Sequence, residues 1–155
     1  MAREEIGSWI SGPKAALESQ GAEFGYPGER LGFPESGPGS VSSVGRKAVA
    51  LVIDWLTAVV IAKALGTDMD PNQTSILVLE IFAAQVAMST LLSGSSFGQR
   101  LMGIGVMTLD RQRLPISRVL VRTALMCLVI PAVIYDRDNR GFHDKAVNSV
   151  VIRIR

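Results

Sequence analysis

The sequence predicts an all-α membrane protein. Its parts are a transmembrane helical hairpin, a third short apolar helix that is either re-entrant or spanning, a small cytoplasmic β-hairpin or sheet, and a flexible N-terminal tail. Three observations carry this expectation. Of 155 residues, 48% are hydrophobic and 19% charged, where soluble domains carry about a quarter charged residues. Two apolar runs of membrane-spanning length are joined by a short polar turn. Basic residues are absent from that turn and crowd the segments on the far side of each run.

The same composition excludes several function classes. One cysteine rules out an internal disulfide framework. One histidine beside that cysteine rules out a zinc cage of those ligands. A net charge of +2 is too small to argue for nucleic acid as a partner. The glycines at Gly94, Gly98, Gly103 and Gly105 have no strand–loop–helix frame and so make no nucleotide fingerprint. With no catalytic triad in view, neither an enzyme, a metal nor a cofactor is expected.

In chain order, residues 1–43 form the tail. Met1 to Gly45 holds nine of the fifteen glycines and four of the seven prolines, a composition that disfavours a packed core. A short amphipathic turn around Trp9 to Leu17 is the one ordered element expected there. No signal-peptide pattern is seen. The first span is placed at about 44–65, around Ala48 to Ala62, where Asp54 is the single charge. As a helix the whole span is ~33 Å long, matching the ~30 Å hydrocarbon core. Gly66 to Gln73 is a turn by its Gly, Pro and Asn content. The second span is placed at 74–93, with only Glu80 charged. Met102 to Leu109, followed by the polar Asp110 to Arg113, predicts a short β-hairpin. The third apolar segment is placed at about 118–135. Its apolar heart, Thr123 to Tyr135, is only ~20 Å as a helix and contains Pro131. Ser149 to Ile154 is strand-like and is expected to close a small sheet with Met102 to Leu109 if the tail stays inside.

Orientation follows the positive-inside rule. The turn with Asp68 and Asp70 lacks Lys and Arg, whereas Gly94 to Arg122 carries Arg100, Arg111, Arg113, Arg118 and Arg122. The N-terminus is therefore expected in the cytoplasm of a multi-pass protein of the plasma membrane.

Asp54 is the most informative residue. A carboxylate inside a lipid-spanning helix costs roughly 2.5–3.5 kcal/mol and faces the bundle interior. It is either an ion, proton or ligand site or a structural lock hydrogen-bonded to a neighbouring helix, with Gln85 at similar depth as its partner. Arg46, eight residues earlier, lies ~12 Å along the helix and ~80° around it, so both are expected to look towards the same side of the bundle, with Arg46, Asp54, Gln85 and Asp144 as one ligand-binding or structural polar cluster. Lys63 and Glu80, near the outer ends of the spans, are expected to form an ion pair. Lys47 reads as an interfacial anchor, and His143-Asp144 as a dipeptide too sparse for a general base.

Three motifs in order resemble the RDD family of small integral membrane proteins. They are Gly45-Arg46-Lys47-Ala48 through Ile53-Asp54-Trp55-Leu56, then Ser96-Phe97-Gly98-Gln99-Arg100-Leu101-Met102-Gly103-Ile104-Gly105-Val106, then Arg140-Gly141-Phe142-His143-Asp144-Lys145. The resemblance spans residues 44–155. Val147-Asn148-Ser149 departs from the small-residue stretch usual after the second aspartate. It implies that Arg46, Asp54 and Asp144 are the arginine and two aspartates of the family name, in a protein of unassigned activity for which ligand transport has been suggested. Two functions follow as expectations: transport of an ion or small ligand using Asp54, or an accessory or assembly subunit of a larger membrane complex. Lipid and a homo-oligomer or larger assembly are the expected partners.

Overall fold

The computed structural model describes residues 25–65, 70–128 and 134–155. Two long helices dominate: α1 (Val44–Ala64) and α2 (Pro71–Ser93). They are antiparallel. Gln85 reaches the Asp54 carbonyl, Trp55 meets the Phe82 ring at 5.6 Å between centroids, and Ala58, Ala62, Val78, Phe82 and Val86 form a common core. On α1 the buried residues are Lys47, Ala50, Asp54, Ala58 and Ala62, one stripe at three- and four-residue spacing. Its alanines let the partner helices approach closely. α2 starts at Pro71, three residues earlier than expected, because the Asp70 side chain caps the Asn72 and Gln73 amides.

Among the described residues, α2 is the one helix long and apolar enough to cross a membrane, with mean hydropathy 1.9 over its best window. α1 carries Arg46, Lys47, Asp54 and Lys63, which sets it apart from α2. Its outward face is nonetheless apolar: Val49, Val52, Trp55, Leu56, Val60 and Ile61 are exposed.

After α2 the chain turns through Gly94, at φ +75, into a single-turn helix α3 (Phe97–Leu101). A full capping box starts it: Ser96 Oγ accepts the Gln99 amide and Gln99 Oε1 accepts the Ser96 amide. Strand β1 (Ile104–Thr108) follows, and pairs antiparallel with β2 (Ser149–Arg153) from Ile104 opposite Arg153 to Thr108 opposite Ser149. The small sheet is thus real, but Met102 to Leu109 is not a local hairpin. Asp110 to Arg113 leads instead toward helix α4 (Ile116–Cys127), and the pairing partner comes from the far end of the chain.

The flexible-tail expectation does not hold for residues 25–43. Gly39 and Ser42 donate to the Arg153 and Val151 carbonyls, and Arg153 donates to Ser40, each at 2.8 Å. This stretch lies along the outer edge of β2. Phe33 and Val41 are buried with Val150 and Ile152, so two apolar side chains anchor a segment whose composition looks unstructured. Residues 1–24, with the turn expected around Trp9, lie outside the described residues.

α4 buries Val119 and Met126 together with the polar Arg122 and Thr123, while Ile116, Leu120, Val121 and, just beyond its end, Leu128 are exposed. Residues 129–133 lie outside the described part, so the crossing or re-entry of the third apolar segment is not described. Its two flanks do lie at one end of the helix pair: Asn139 contacts Lys47 near the start of α1, and β2 pairs with β1. Helix α5 (Phe142–Ala146) completes that end.

Candidate functional site: a buried polar cluster

The stripe on α1 carries Lys47 and Asp54 into the interior, seven residues and ~20° apart. Asp54 is 1% exposed. Its two carboxylate oxygens are each satisfied at the start of α3: Oδ1 accepts the Gly98 amide at 2.7 Å, and Oδ2 accepts the Ser96 hydroxyl at 2.5 Å. The carboxylate therefore binds the free amide end of α3 from the side of α1. Only glycine permits this approach at position 98, because a Cβ there would lie 2.1 Å from the Ala50 carbonyl oxygen. On the opposite side Gln85 Nε2 donates to the Asp54 backbone carbonyl at 2.6 Å. One residue thus ties α1 to both α2 and α3.

Asp144, on α5, is fully buried. Its Oδ1 accepts Arg122 Nε at 2.8 Å and the Ser149 hydroxyl at 3.3 Å. Lys47 Nζ is 4.0 Å and His143 Nε2 3.5 Å from Oδ2, and Oδ2 makes no hydrogen bond. Burial pushes the Asp144 carboxyl up, but the neighbouring Arg122, His143 and Lys47, with the Arg122 hydrogen bond, overcome it and hold it down at about 2. Lys47 Nζ also donates to the Asn139 carbonyl at 2.5 Å, and Arg140 Nε to the Ser149 carbonyl at 3.0 Å. α1, α4, α5 and β2 are joined through this one carboxylate.

Beside Asp54 lies a cavity of about 20 Å³ bordered by Lys47, Gln99, Arg122, Tyr135 and His143 and, on its apolar side, by Ala50, Leu51, Met126 and Val151. That is room for about one water-sized occupant with several polar neighbours. Among the described residues no group of three His, Cys, Asp or Glu side chains is placed to hold a metal ion.

Of the expected residues, the structure joins Gln85 to Asp54, through the Asp54 backbone and not its carboxylate, while Asp144 has its own partners, of which Lys47, Arg122 and His143 border the same cavity as Asp54. Arg46 is not in the cluster. It is half-buried, and the ~80° between positions 46 and 54 turns it away; Lys47 occupies the place expected for it. Lys63 and Glu80 are both exposed and form no ion pair with each other. Sequence reasoning missed Lys47, Ser96, Gly98, Arg122 and His143 as members. Two signals could have found some of them. Lys47 is in helical phase with Asp54, and Ser96-Phe97-Gly98-Gln99 is a capping-box sequence.

The RDD family model matches residues 41–148, a stretch that contains every member of this cluster but Ser149. No curated protein and no solved structure matches the chain significantly.

Proposed function

This chain belongs to the RDD family, and on that premise we propose a non-catalytic accessory or assembly subunit of a larger membrane complex, with Asp54 and Asp144 as structural ties. The observation that carries this reading is the engagement of Asp54: each of its oxygens accepts a hydrogen bond at the start of α3. A carboxylate so engaged ties α1 to α3 and supports a structural role. The lipid setting is supported by the polarity of the helices. α1 and α4 place Lys47, Asp54 and Arg122 inside beside apolar residues, and leave Val52, Leu56, Val60, Ile116 and Leu120 exposed, an apolar outer surface that suits lipid. α1 and α2 are then a membrane hairpin in the plasma membrane, with the Asp70 end outside. The N-terminus and the sheet are cytoplasmic, where Arg100, Arg111, Arg113 and Lys145 gather. Purification in mild detergent tests the function. A stoichiometric heterologous partner is expected, and a lone monodisperse homo-oligomer would overturn the accessory reading.

A second reading, transport of an ion or small ligand in an oligomer, is favoured by one observation: the cavity that Lys47, Asp54 and Arg122 border. Flux in proteoliposomes tests it, since unchanged flux in Asp54→Asn would remove Asp54 from any such pathway.

A further inference from the structure

α3 is held hard against α1. Gly98 sits on the Ala50 carbonyl and its amide is fixed by Asp54. Its free face shows Phe97 and Leu101, 49% and 56% exposed, at the level where α1 exposes Val49 and Val52. Ile154, 55% exposed, is next to this patch, because its amide donates to the Gly103 carbonyl and its side chain covers Gly105. The cations of the patch are Arg100 and Arg155, both exposed. The Arg155 stem packs on Gly103 and its guanidinium donates to the Arg100 carbonyl at 3.3 Å, which holds the Arg155 side chain against the Arg100 backbone. Among the described residues no carboxylate pairs with either.

We propose that Phe97, Leu101, Ile154, Arg100 and Arg155 form a docking site for an acidic phospholipid of the cytoplasmic leaflet. The three apolar side chains enter the acyl region and the two arginines take the headgroup phosphate. The chemistry is complementary. Long arginine stems reach from apolar depth to the phosphate level, and guanidinium forks match phosphate oxygens. α3, too short to be stable alone, has a reason to be clamped to α1: the clamp fixes the height of the patch relative to the bilayer. This inference rests on the membrane reading above and adds a lipid preference to it.

The test uses the full-length chain in neutral detergent, titrated with mixed micelles of phosphatidylglycerol or phosphatidylcholine and read by thermophoresis. Each arginine near an anionic surface contributes about fivefold in affinity. The wild type is expected to prefer phosphatidylglycerol, and R100Q/R155Q to lose roughly 25-fold for that lipid while its phosphatidylcholine affinity stays. R30Q/R113Q, which removes the same charge from other exposed positions, is expected to keep the preference. F97S/L101S is expected to weaken both lipids alike. Equal affinity of the wild type for the two lipids would overturn the proposal. So would an equal loss in R30Q/R113Q, which would show a net-charge effect. A change of oligomeric state in R100Q/R155Q with lipid preference intact would assign the patch to a protein instead. Carbonate extraction of native membranes separates the two levels: a chain that washes off refutes the membrane setting itself, whereas a carbonate-resistant chain without lipid preference refutes the docking site alone.

Discussion

Asp144→Asn keeps the shape of the side chain and removes its charge. Arg122, Lys47 and His143 then remain buried around a neutral amide, with Arg122 1% exposed. Removing one partner of a buried ion pair costs about 3–5 kcal/mol, because the remaining charge is left uncompensated. Against a total stability of order 5–15 kcal/mol, that is a large fraction. The assay is unfolding of the purified protein in non-ionic detergent, followed by the fluorescence of Trp55 against Phe82. A second arm separates charge from packing. Arg122→Met and Asp144→Asn combined are expected to cost clearly less than the sum of the single changes, since each removes the other's orphan. The pH dependence has a definite sign. The folded Asp144 carboxyl is held at about 2, below its unfolded value near 4. The stability it contributes is therefore complete above about pH 4 and is lost as pH falls through about 2, to the extent of about 2 kcal/mol. Asp144→Asn is expected to flatten that acid limb. A variant within 1 kcal/mol of the wild type, with strict additivity in the double change, would refute the reasoning.

Gly98→Ala is expected to destabilise by at least the 1–3 kcal/mol typical of overpacking, because its Cβ would meet the Ala50 carbonyl oxygen at 2.1 Å; thermal unfolding in detergent checks it. Lys47→Met is expected to destabilise several times more than Arg46→Met in the same assay, and equal effects would return Arg46 to the cluster. Phe33→Ala is expected to cost about 3–5 kcal/mol, since Phe33 is 3% exposed, and free protease access to residues 25–43 in the wild type would contradict the packing described. Lys63→Ala and Glu80→Ala are expected to be additive within about 0.5 kcal/mol in a double-mutant cycle.

The long elements were legible in the sequence because they depend on local pattern. α1 matches its expected bounds to within a residue, and α2 starts early only because Asp70-Pro71 is a capping signal that overrides the polar look of the turn. The strand at Ile104–Thr108 and its partner at Ser149–Arg153 were both legible, because each is a short β-branched run; the local hairpin expected at Met102 to Leu109 was not the pairing that forms. Phe33 and Val41 mark the limit: burial of isolated apolar residues among glycines depends on a sheet made elsewhere. In the site, Asp54 and Gln85 stand out as polar residues within apolar runs, whereas Asp144 is marked only by the resemblance to the RDD family. Arg122 does not stand out, because an arginine near a segment end also reads as an interfacial anchor. Lys47 was passed over for Arg46, although a separation of seven residues keeps helical phase better than eight.

The carboxylate of α5 also sets an order of events during synthesis. α1 and α4, carrying Lys47 and Arg122, leave the ribosome well before Asp144, and β1 emerges long before the strand that completes it. Until the last segment arrives, two interior cations lack their counter-ion and one sheet edge is open. Both the buried charge cluster and the sheet are therefore completed only by the last segment, and a polypeptide stopped short of α5 is expected to lack the two together.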